Sequence, residues 1–310
     1  MYDWQKKKIK VTEDSKILIG LGDSFTQGQG ACSEELWGKY NWDRDKLNKG
    51  ENQEVYESYD ENSWVNVLCR DYLTDYVPVN LGFAGRGNRF AVKELYLYPE
   101  LNLEKAKEKI VVLMLSGKER FDLIDKDYST HTHFKTLFPV MDGNAPESKL
   151  WAAYREFIFC DRFCCIETIL NVLELQTWCK ANNARLIITS GFQNDFDKKN
   201  YMRLIYGPPE PCHDLYTNPN IIGGVLDKIN WKGVLYPKNF RCMSEYLLHL
   251  EGREDLINGD QQVGNFYDFA SEQDKFTPKG FITKCGHPTI KGQEYIAETI
   301  YEFIKSNRNV

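Results

Sequence analysis

The sequence lacks any long apolar run. The first one, Ile17 to Leu21, is much shorter than the about 7–15 residues of a secretory core or the about 20 of a membrane span, and residues 1–16 ahead of it are polar. No signal peptide and no spanning segment are therefore expected. Positive charge is also in short supply. There are 39 Lys and Arg against 45 Asp and Glu, giving a formal net charge of −6. That balance argues against broad binding to nucleic acid or to an anionic membrane, both of which need clustered positive charge. The one short basic run, Lys6, Lys7, Lys8 and Lys10, reads as a solvated terminus. Internal repeats and low-complexity tracts are missing as well. Paired cysteine is not evident either: the nine cysteines are an odd number, mostly within apolar segments. They suggest free thiols in a reducing compartment, so a cytoplasmic location is expected.

What is present describes an ordinary globular chain. Its 310 residues are enough for a large core and one or two domains. Aromatic residues make up 14% of the chain, first as packing material and second as possible lining for a substrate groove.

Four continuous apolar runs read as strands covered on both faces: Lys16–Gly22, Val77–Gly82, Lys109–Ser116 and Arg185–Ser190. Asn265–Phe269 is a weaker fifth. Helical periodicity lies between and after them, at Ser63–Tyr72, Arg89–Leu97, Phe157–Asn182 and Thr289–Lys305. Strands alternating with helices imply right-handed crossovers and a three-layer α/β sheet. Residues 29–62, 121–150 and 196–262 break this rhythm. They read as long insertions on a single domain spanning 1–310, the last of them a possible small cap.

In such a sheet ligands bind at the carboxyl ends of the strands. The first strand ends in Gly22-Asp23-Ser24, the second in Gly82-Phe83-Ala84-Gly85-Arg86-Gly87-Asn88 and the third in Ser116-Gly117-Lys118-Glu119-Arg120. The fourth ends in Ser190-Gly191-Phe192-Gln193-Asn194-Asp195, and Cys285-Gly286-His287-Pro288 precedes the final helix. A serine becomes a nucleophile only with a base beside it, and acyl transfer needs donors for an oxyanion. Ser24 at a strand-to-helix turn, the Gly85 turn and His287 before a helix offer these parts. Ser24 as a plain helix N-cap is the simpler alternative.

GDSFTQG after an apolar strand, a glycine-bearing turn after the second strand, and GHP before an amphipathic last helix resemble the SGNH/GDSL hydrolase superfamily. The resemblance runs in order over most of the chain. It implies a flavodoxin-like parallel sheet of five strands and ester hydrolysis on a serine. It maps Ser24 to the nucleophile, His287 to the base, and Gly85 with the Ser24 N–H to the oxyanion hole. Two positions depart from the family pattern. Lys284 stands where the orienting aspartate is expected, three residues before His287. Gly117-Lys118-Glu119-Arg120 stands where Gly-x-Asn-Asp is expected.

Several residues could fill these gaps. A backbone carbonyl, Asp268 or Asp274 could hold the imidazole. Asn88 is the first choice for the missing amide donor and Asn194 the second. Arg120 could hold a substrate carboxylate or phosphate, with Asp23 and Lys284 as further accessories. The expected activity is hydrolysis of an O-acetyl or other short acyl ester on a small-molecule or glycan substrate. Acyl transfer by the same fold and a catalytically degenerate binding or structural module are the alternatives. No metal or organic cofactor is expected, and no nucleic-acid or membrane partner.

Other stretches read more simply. Cys160, Cys164 and Cys165 are expected to be buried free thiols, and their spacing is not that of metal ligands. His131 and His133 lack a third ligand and read as a solvated loop. Cys212-His213 has nothing to pair with. Gly85-Arg86-Gly87 does not meet the dinucleotide fingerprint. The acidic run in 43–61 is expected to be a solvated face, with Tyr56, Tyr59 and Trp64 suited to stacking on sugars if it walls a cleft.

Overall fold

The computed structural model describes residues 3–40, 53–124, 134–137, 146–157, 159–192, 196–206, 224–257, 269–270, 272 and 276–307. Its centre is a parallel four-stranded sheet of β1 (Lys16–Gly22), β2 (Tyr76–Asn80), β3 (Glu108–Leu115) and, further along the chain, Ala184–Ser190. A short antiparallel pair, β4 (Phe121–Ile124) and β5 (Phe134–Leu137), lies apart from it, which makes Ala184–Ser190 β6. The sheet order is β2-β1-β3-β6.

The apolar runs explain why these strands are central. Along β1, Ile17, Ile19 and Leu21 face one side and Leu18 the other, and all are fully buried. Val111, Leu113 and Leu115 of β3 continue the first face, with Ile110, Val112 and Met114 on the second. Continuous hydrophobicity is the mark of a strand with both faces covered, because alternation survives only in which layer each side chain enters.

The helices cover the two faces of the sheet or form smaller clusters of their own. In chain order they are α1 (Asp3–Lys8), α2 (Ser24–Gln27), α3 (Glu34–Tyr40), α4 (Gln53–Glu61), α5 (Trp64–Asp71), α6 (Asn88–Leu97), α7 (Pro146–Phe157), α8 (Asp161–Ala181), α9 (Lys198–Tyr206), α10 (Met243–Glu251) and α11 (Ile290–Ser306). Ala91, Val92 and Leu95 of α6 and Ile169, Val172 and Leu175 of α8 cover the first face. Val65 and Leu68 of α5, Met243 and Leu247 of α10, and Ile296 and Ile300 of α11 cover the second. Among the described residues no helix is long and apolar enough to cross a membrane.

The stretches expected to be long insertions carry their own elements: α3 and α4 fall in 29–62, β4 to α7 in 121–150, and α9 and α10 in 196–262. Polar composition hid short helices such as α4, which buries only Val55 and Tyr59, whereas α10 buries most of its residues. Residues 265–268 of the expected fifth strand lie outside the described residues, and Phe269 is helical. Beside β6 runs the 234–235 segment instead. Val234 forms a parallel bridge to Ile188, the Leu235 N–H donates to the Ile188 carbonyl at 2.8 Å, and the Thr189 hydroxyl donates to the Leu235 carbonyl at 3.1 Å.

Candidate active site

β1 ends at Gly22, and the chain turns at once into α2, whose N-cap is Asp23. The Phe25 N–H donates to Asp23 Oδ1 at 3.1 Å. Asp23 Oδ2 takes the guanidinium of Arg120 at 2.9 Å, and the same Arg120 nitrogen donates to the Arg86 carbonyl at 3.0 Å. Asp23 is buried, and loss of water raises its carboxyl pKa, opposed by the Arg120 charge and the Phe25 N–H. One arginine thus ties together the ends of β1 and β2 and the chain leaving β3. Arg86 is itself packed between the rings of Phe83 and Phe90, at 4.9 and 4.1 Å.

The last helix brings the histidine. Thr289 caps α11, and the turn before it folds back on itself through Thr283 N–H to His287 O and Gly286 N–H to Thr283 O, both 2.8 Å. His287 Nε2 lies 2.9 Å from Ser24 Oγ. The other ring nitrogen, Nδ1, lies 2.9 Å from Cys285 Sγ. Loss of water around the ring, and secondarily the Arg120 charge, push the His287 pKa down to about 3 from 6.5, while the Cys285 carbonyl works the other way. The imidazole is therefore neutral at pH 7. A neutral Nε2 at this distance from a hydroxyl can take its proton.

Two contacts fix this approach. Gln293 of α11 donates to the Phe25 carbonyl at 3.0 Å and accepts the Trp64 N–H at 2.9 Å, fastening the last helix to the turn beside Ser24. At Gly30, where φ is +93°, an added Cβ would lie 3.0 Å from His287 Cβ, so the chain after α2 passes hard against the histidine turn.

The other sequence-predicted residues fall as follows. Gly85 has φ +78° with open space where a Cβ would stand. Among the described residues neither the Ser24 nor the Gly85 N–H has a protein acceptor. Asn88 is committed to the end of β3. Its Oδ1 accepts the Ser116 N–H at 2.8 Å, and its Nδ2 donates to the Ser116 carbonyl at 3.3 Å, leaving one amide hydrogen. Lys284 is exposed, and the Glu119 carboxylate packs over Gly117. Asn194, Asp268, Asp274, His131, His133, Cys212 and His213 lie outside the described residues. Cys164 and Cys165 are buried and free, but Cys160 is half-buried and caps α8, its sulfur accepting the Phe163 N–H at 3.3 Å. Among the described residues no cluster of three or more His, Cys, Asp or Glu is placed to hold a metal ion.

Sequence reasoning missed three groups. Asp122 of β4 receives the Gly87 and Phe90 N–H groups at 3.0 and 2.8 Å, and so caps α6 and holds the chain after Gly85. Phe192, after β6, packs edge-on to Phe25 at 4.6 Å and lies under Arg120. Cys285 stands against the imidazole. Only the last had a sequence signal, its place two residues before the histidine. A small cleft opens beyond Arg120, lined among others by Asn88, Arg89, Lys118, Phe121 and Tyr154; neither Ser24 nor His287 lines it. Phe121 and Tyr154 stack there at 4.7 Å.

Comparison with protein-family models and with curated proteins finds no match. Among solved structures, an acetyl xylan esterase, AlAXEase, aligns over 92% of this chain and 98% of its own, with 12% identity and a TM-score of 0.36.

Proposed function

We propose that the chain is a serine hydrolase of SGNH type that cleaves a carboxyl ester, with an O-acetyl or other short acyl group on a carbohydrate as its substrate. The observation that carries this reading is the 2.9 Å contact between Ser24 Oγ and His287 Nε2, residues that are neighbours only through the fold. A plain N-cap serine has no need of a neutral imidazole at its hydroxyl, and here Asp23 does the capping.

In the proposed reaction His287 Nε2 takes the Ser24 proton as Oγ attacks the ester carbonyl. The tetrahedral oxyanion is held by the Ser24 and Gly85 N–H groups, with the remaining Asn88 amide hydrogen as third donor. Collapse expels the alkoxide, which receives the proton from His287. Water then gives a proton to His287, attacks the acyl-enzyme and releases the acid with Ser24 restored. Arg120 adds positive charge at the site. Polar groups of the neighbouring cleft, Asn88, Lys118 and Arg120 among them, suit the hydroxyls of a sugar. The reading also takes the chain as one domain with a capping segment in 196–262, and extends the sheet to the five-stranded flavodoxin-like order with the fifth place beside β6.

The test is a chromogenic acetyl-ester assay on wild type and Ser24→Ala, with labelling by a serine-reactive phosphonate. The expected result is a loss of about 10³-fold or more in turnover and loss of the label. Equal rates in the two proteins would remove the esterase reading.

A further inference from the structure

We propose that Cys285 is the positioning residue of this site: its sulfur, in place of a carboxylate, accepts the Nδ1–H of His287 and so keeps Nε2 bare toward Ser24. The proposal rests on the esterase reading for its catalytic consequence, but its geometry stands by itself.

Cys285 Sγ is 2.9 Å from His287 Nδ1 and 3.0 Å from Thr283 Oγ1. The Thr283 hydroxyl donates to the His287 carbonyl at 3.1 Å and accepts the His287 N–H at 3.2 Å. With its own proton spent on that carbonyl, Thr283 Oγ1 can only accept from the thiol. The Cys285 S–H therefore points at Thr283, and the sulfur lone pairs point at Nδ1. The directions then run one way, from Ser24 O–H to Nε2, from Nδ1–H to Sγ, from S–H to Oγ1, and from the Thr283 O–H to the His287 carbonyl. The reverse order would place the ring proton on Nε2 and disable the base.

The surroundings keep the thiol protonated. Cys285 packs against the small apolar cluster of Cys32, Trp37, Val55 and Tyr59, and burial pushes its pKa up to about 12. The ionisable groups facing the pair are Arg120 on the ring side and Cys32 and Tyr59 on the sulfur side. Lys284, at the position where the resemblance expects the aspartate, is exposed. A competing acceptor exists in the Cys285 carbonyl, which also stabilises the charged ring. Removing the sulfur leaves that carbonyl in place, which makes the two separable.

The experiment uses the full chain with Cys285→Ala, Cys285→Ser and Cys285→Asp, each checked for thermal unfolding. ¹⁵N shifts of His287 read the tautomer without substrate, so this arm stands whether or not the protein is an esterase. Wild type is expected to show the Nδ1–H tautomer and Cys285→Ala a mixture. In the ester assay Cys285→Ala is expected to lose about 10- to 100-fold in kcat, with KM unchanged. Cys285→Ser should keep most of the activity. In Cys285→Asp the acid limb of the pH profile should rise, because a carboxylate stabilises the imidazolium. An unchanged tautomer and an unchanged kcat in Cys285→Ala would overturn the proposal and leave the carbonyl as the group that orients the ring. Absence of any Ser24-dependent hydrolysis together with a changed tautomer would sink the esterase reading alone.

Discussion

His287 meets Ser24 with its ring shut away from water, and its titration follows from that. Around a serine paired with an ordinary histidine, activity falls as pH drops through about 6.5, because the base is protonated. Here loss of water and the Arg120 charge hold the ring neutral down to about 3. We expect kcat/KM on a chromogenic ester to stay nearly flat from pH 7 to 5, where an unperturbed histidine base would cost about 30-fold at the lower end. The same shift has a stability consequence. The folded pKa is below the unfolded one, so the unfolded chain binds more protons between 6.5 and 3. The contribution is fully present above pH 6.5 and is lost as pH falls toward 3. Urea unfolding of wild type and His287→Gln at pH 7.5 and pH 5 should show the wild type losing more stability on acidification. Equal losses would mean that the ring is solvated in the native state.

At the scale of the elements, the site is assembled where strands end and helices begin, and Gln293 shows how firmly. It is fully buried, and its amide serves the Phe25 carbonyl on one side and the Trp64 N–H on the other. Gln293→Leu keeps the bulk but leaves both backbone groups without a partner. The expected cost is about 1–3 kcal/mol for each, read by urea unfolding. Phosphonate labelling of Ser24 should slow in parallel, because the turn holding Phe25 loses its anchor to the helix that carries the histidine. A stability loss within 0.5 kcal/mol, about that of a bland surface change, would show that other contacts hold the turn. The strands of this assembly were legible from sequence because a run such as Lys16–Gly22 has no polar residue to interrupt it, and β1 spans those same residues. The helices inside 29–62 were not, because α4 buries only Val55 and Tyr59 among charged neighbours. The Ser24 and His287 segments could be picked out by their glycines and proline. The Cys285 thiol stood out only by its place two residues before the histidine; its contact to Nδ1 was not legible, because it depends on a five-residue turn closed by Thr283.

At the scale of the molecule, the two halves of the Ser24–His287 pair come from opposite ends of the chain, so their meeting depends on the layer that joins those ends. That layer is the second face of the sheet, where α11 lies against α5 and β1 contributes Leu18. Ile296 and Ile300 are fully buried there, alongside Val65 and Leu68. Truncating Ile300 to Ala removes three buried carbons and leaves a cavity in a layer fixed on both sides. The expected destabilisation is about 2–5 kcal/mol. Leu170, on α8, is 49% exposed, and Leu170→Ala should stay within about 0.5 kcal/mol. Because α11 carries the histidine turn at its start, Ile300→Ala should also lower the denaturant concentration at which Ser24 labelling is lost. The loss should coincide with global unfolding, since the C-terminal layer and the sheet share one core. Labelling lost well before the fluorescence transition would instead show that α11 detaches by itself, and that the two ends of the chain are held together only locally.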